Sequence, residues 1–79
     1  MLRKMEPYDR INCILETVGA LEEEYPTDGV PLEQIVDVVT AEGFDRDEVI
    51  QDIENLERYV GHLDSPEPNR YHRCQNQIS

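Results

Sequence analysis

Three amphipathic helical stripes, a glycine-containing turn between the second and third, and two short alternating segments around a Pro and Asn turn follow one another along the chain. Together they predict a mainly α fold with a small β wing, a winged helix-turn-helix of three helices plus a β-hairpin. The 79 residues have room for one domain with one core. A chain of this size buries only about 60 to 65% of the surface its unfolded form exposes.

Between Tyr8 and Glu24 the apolar residues Ile11, Ile14, Leu15, Val18 and Leu21 fall on one helical face. Glu22, Glu23 and Glu24 crowd the end where the helix dipole disfavours anions, and Pro26 and Gly29 then break the pattern, so the first helix ends near Tyr25. After the link Pro26 to Val30, Pro31 is expected at the first position of a brief second helix, with Leu32, Ile35, Val36 and Val39 facing inward. Gly43 stands where a C-cap glycine belongs, and Phe44 is placed to fold back onto the core. Asp45 offers an N-cap with Glu48 completing a capping box, and Val49, Ile50, Ile53, Leu56 and Val60 make the stripe of a third helix running to about Tyr59. The hairpin comes next: His62 to Asp64, a Ser65 to Asn69 turn, then Arg70 to Cys74, with Leu63 and Tyr71 turned to the core. A bridge from Val30 would add a third strand. Residues 1–7 are expected to be a flexible N-terminal segment, 8–74 the domain, and 75–79 a flexible tail.

Hydrophobic residues make up 38% of the chain and charged residues 32%, a globular balance whose core must rest on Ile, Leu and Val because there is one Phe and no Trp. The formal net charge is -11. Such a polyanion repels the phosphate backbone that supplies most nucleic-acid affinity, so broad DNA binding is disfavoured. The same acidity fits either a salt-rich cytoplasm or a functional acidic surface. Cys13 and Cys74 lie far apart with no metal-ligand spacing around them, which predicts two free thiols in a reducing cytosol. No stretch approaches the ~20 apolar residues of a membrane span, and the expected localisation is cytoplasmic.

The third helix would enter the major groove of a DNA reader. From Asp45 to Tyr59 it carries six acids (Asp45, Asp47, Glu48, Asp52, Glu54, Glu57) against Arg46 and Arg58, a balance of -4. Asp47, Glu48 and Asp52, with Tyr25, are therefore read as a protein-contact surface. In the wing Arg70 and Arg73 stand against Glu67, so Arg70, His72 and Arg73 are the candidates for weak DNA contact. His62 and His72 could face each other across the hairpin, but alternation puts both on the solvent side, and no metal site is read from them and Cys74. Tyr59 is expected half in the core. No catalytic, cofactor or metal residue is assigned: the carboxylates are many, but a chain this small encloses no cleft for acid-base work.

The runs Gly29 to Ile35, Ala41 to Val49, Ile53 to Leu56 and Gly61 to Arg73 together resemble the C-terminal winged-helix domain of archaeal minichromosome maintenance (MCM) helicases. The sharpest part is the stretch Leu63 to Tyr71, similar to that family's wing, although Asp64 and Glu67 stand where an aromatic and a basic residue are often found. The resemblance implies a noncatalytic appendage of a replicative DNA helicase that modulates ATPase and unwinding. Its implied partners are the ATPase domain, a loader or a neighbouring subunit. An isolated domain of this kind would be monomeric and reach the nucleoid through its parent. No GxxxxGK[ST] loop is present, so the ATPase is not in these residues. Two alternatives share the fold. One is a peptide-binding winged helix similar to the C-terminal domain of the replication protein A middle subunit, and the other is a free-standing transcription regulator.

Overall fold

The computed structural model describes residues 7–74, and the element order is the predicted one. Helix α1 (Pro7–Leu21) is followed by a 3-10 turn (Glu22–Glu24), strand β1 (Val30–Pro31), helices α2 (Leu32–Ala41) and α3 (Arg46–Asn55), a π turn (Leu56–Val60), and strands β2 (Leu63–Glu67) and β3 (Arg70–Arg73). The strands form an antiparallel sheet in the order β1-β3-β2, the arrangement of a winged helix. The expected flexible segments lie outside the described residues, apart from Pro7, which opens α1.

One core joins the helices to the sheet. Ile14 and Val18 of α1, Ile35, Val36 and Val39 of α2, and Val49 and Ile53 of α3 are fully buried against one another. Leu63 and Tyr71 close this core from the wing, as alternation predicts, and Val30 closes it from β1. Val30 pairs with Tyr71 and Pro31 with Arg70, so the bridge is two residue pairs long.

Local chemistry explains the boundaries. Pro31 is not the first residue of α2 but the end of β1, an edge strand where its missing N–H breaks no ladder bond. The first free amide of α2, that of Leu32, donates to the Asn69 carbonyl in the wing turn at 2.8 Å. A wing carbonyl thus does the work of an N-cap side chain. At the other end of α2 the Gly43 N–H donates to the Thr40 carbonyl at 2.9 Å with φ at 108°, a left-handed close that favours glycine, and Phe44 packs half-buried against the core. The Asp45 carboxylate accepts from the Asp47 and Glu48 amides at 3.1 and 3.2 Å, the expected N-cap of α3. The reciprocal half of the box is replaced, because the Glu48 side chain reaches Arg10 instead.

The end of α3 departs from expectation. The Leu56 carbonyl accepts from both Gly61 at 2.9 Å and His62 at 3.0 Å, which widens the last turn to π geometry. The wider turn rotates its residues away from the stripe that runs through Val49, Ile53 and Leu56. Val60, expected in the core, is therefore 53% exposed, and Tyr59, expected half-buried, is 79% exposed.

Candidate nucleic-acid and protein interface

Strand β3 supplies the wing residues singled out from sequence, and the pleat divides them between two faces. Tyr71 and Arg73 share the face turned to the helices, so Arg73 lies along α1. A side chain built at Gly19 would meet its guanidinium Nη1 at 3.0 Å. Arg70 and His72 share the opposite face. The Arg70 guanidinium donates to the Gly29 carbonyl at 2.9 Å and lies 6.0 Å from the centre of the Tyr25 ring. His72 stands opposite Asp64 in the hairpin, not opposite His62, and its Nδ1 is 3.9 Å from the Glu22 carboxylate. That same carboxylate accepts from the Arg73 backbone N–H. The wing is thus fastened to the C-terminal end of α1.

Gly29 makes the junction possible. Its φ is 94°, and a Cβ there would come within 3.0 Å of the Tyr71 backbone nitrogen. On the other edge, Pro66 interrupts β2. The register slips by one residue between the pairs Asp64 with His72 and Glu67 with Arg70, a bulge that bends the wing tip.

The residues read as a protein-contact surface separate in the structure. Asp47 and Glu48 are exposed at the start of α3. Asp52 is not on that surface. Only 8% of it is exposed, and its carboxylate is bound by the Arg10 guanidinium of α1 across 42 residues of sequence. Arg10 also donates to Glu48 at 2.9 Å, so one cation serves two carboxylates of α3. The hydrogen bond to Asp52 is the chief reason the Arg10 pKa rises above its ordinary value, with burial opposing. Tyr25 is half-buried, and its hydroxyl donates to the Gln34 side chain at 2.7 Å, which ties the end of α1 to α2.

Sequence reasoning missed Arg46. Pro31 of β1, Leu32 and Glu33 at the start of α2, Arg46 of α3 and Pro68, Asn69 and Arg70 of the wing line a cleft of about 350 Å³. Arg46 is the N-terminal residue of α3 and Arg70 opens β3, so only the fold gathers them. No signal in their spacing announces it.

Both cysteines are free thiols, Cys13 half-buried on α1 and Cys74 exposed. Burial chiefly pushes the Cys13 thiol up, with Glu42 and Glu16 adding to it and a hydrogen bond with Thr17 opposing. Among the described residues no helix is long and apolar enough to cross a membrane. Comparison with known proteins gives no match: no protein-family model, curated sequence or solved structure shows significant similarity to this chain. The winged-helix assignment therefore stands on the element order and sheet register described above.

Proposed function

We propose that this chain is a noncatalytic winged-helix module that works through protein contacts, in the setting the sequence resemblance implies, as a regulatory domain of a replicative DNA helicase. The observation that carries the reading is the internal use of Arg10 and Arg70, which leaves Arg46, Arg58 and Arg73 as the exposed arginines among the described residues. Arg10 is bound to α3 carboxylates, Arg70 to a carbonyl and a ring, and Arg73 lies along α1. The Leu32 amide, which a phosphate could otherwise meet at a helix start, is taken by Asn69. What α3 presents outward is mainly Asp47, Gln51 and Glu54, beside Arg46 at its start.

A module of this kind, tethered beside an ATPase ring, does not compete with the ring for DNA. Its acidic faces are left to meet a loader, a neighbouring subunit or the ATPase domain, and the wing cleft adds at most weak contact with a strand the ring already holds. An NMR titration of the full chain with single-stranded and forked DNA at low salt tests this. The expected result is small shifts at Arg46, Arg70, His72 and Arg73 that vanish as salt is raised. Tight binding that survives physiological salt, or shifts along α3 beyond Arg46, would overturn the reading and favour a DNA-binding regulator.

A further inference from the structure

Between α1 and α2 lies a groove of about 390 Å³, lined by none of the residues of the wing cleft. Its lining is mostly apolar, with Cys13, Ala20 and Leu21 from α1 and Val38 from α2 around the buried Thr17. Val38 is out of step with its helix. The inward stripe of α2 is Ile35, Val36 and Val39, whereas Val38 points out of the core and is 40% exposed. On an exposed helix surface a β-branched residue is a poorer helix former than a straight-chain one. Its place is explained if something apolar covers it. Glu16 and Glu42 line the same groove, one from each helix side, and both bear on the Cys13 thiol.

We infer that this groove is a docking site for an amphipathic helix of a partner protein, with an apolar face for the floor and Lys or Arg for Glu16 and Glu42. An apolar slot between two helices takes side chains spaced at i, i+3, i+4 and i+7 from one face of a third helix. The acidic rim selects the charge of its flanks and rejects an acidic helix, so it sets specificity as well as encounter rate. The inference rests on the reading of this chain as a protein-contact module and adds to it a location and a partner chemistry.

The two cysteines supply the test. The full chain is treated with N-ethylmaleimide, with and without a synthetic peptide of about 15 residues. The peptide carries Leu at the i, i+3, i+4, i+7 positions and Lys elsewhere, and alkylation is followed at each cysteine by mass spectrometry. With peptide at ten times its Kd, Cys13 in the groove should react about tenfold more slowly while exposed Cys74 changes by less than about twofold. Val38→Asp, and separately the Glu16→Lys/Glu42→Lys pair, should each weaken peptide binding about tenfold and so cut the slowing at the same peptide concentration to about twofold; all three positions are exposed, and amide spectra establish that the fold is retained. Equal protection by a Leu/Glu peptide, or no protection of Cys13, would overturn the groove assignment. If the Lys peptide instead shifts amides of α3 or the wing, the groove falls and the protein-contact reading stands. If it shifts none while DNA binds tightly at physiological salt, both fall.

Discussion

The seam between α1 and α3 and the root of the wing are both held by an arginine, and they use it in opposite ways. At the seam Arg10 meets two carboxylates, one of them on the buried Asp52. At the wing Arg70 pairs with no carboxylate among the described residues and is held by the Gly29 carbonyl and the Tyr25 ring. Glu22, the acid that fastens β3 to the end of α1, grips the backbone of β3 and not an arginine side chain. The difference follows from a chain with 18 acids and 7 Lys and Arg, where cations are the scarce component. A carboxylate that folding buries must have a cation, whereas the exposed ones need only water.

The contrast is broken most sharply by Arg10→Ala. It leaves the buried Asp52 charge without its cation and with the Glu48 carboxylate that shared it, and the expected loss in urea unfolding is about 2 to 3 kcal/mol, below the full cost for a deeply buried pair because Arg10 keeps some solvent contact. Adding Asp52→Asn should recover part of that loss, since the orphaned charge then disappears. Arg70→Ala removes a hydrogen bond and a ring contact but leaves no charge behind, so about 1 kcal/mol is expected from the same measurement. Equal losses for Arg10→Ala and Arg70→Ala would erase the distinction.

The smallest effect at neutral pH belongs to Tyr71. Burial chiefly raises its phenol above the ordinary value, and Glu57 and Glu54 add to the shift. A folded pKa above the unfolded one means the stabilisation is complete below about pH 10 and is lost as pH rises through the folded value. Thermal melts across that alkaline window should fall more steeply for the natural chain than for Tyr71→Phe. Parallel curves would show that this phenol titrates alike in both states.

Much of this architecture is readable from residue spacing. The stripes of α1 and α2, the Asp45 cap, the Gly43 turn and the inward Leu63 and Tyr71 all depend on neighbours within a few residues, where helix and strand periods operate. Three features are not. The Arg10 to Asp52 pair joins residues 42 apart, and an acid on a helix looks solvated until the fold brings a cation to it. The meeting of Arg46 with Arg70 around one cleft is likewise made by tertiary packing. Tyr59 and Val60 fall where a 3.6-residue period puts them at the core's edge, and the π turn at Leu56 changes that period.

The sheet order β1-β3-β2 places the last of the described strands in the middle. During synthesis β1 and β2 both leave the ribosome before the strand that joins them, and neither can pair with anything until residues 70–73 follow. The nascent domain must hold its helices together with Val30 and Leu63 still uncovered, then lock in one late step when Tyr71 arrives. A chain stalled or clipped before Arg70 would expose two lone strand edges at once, and quality-control proteases and chaperones would meet it as an unfinished fold.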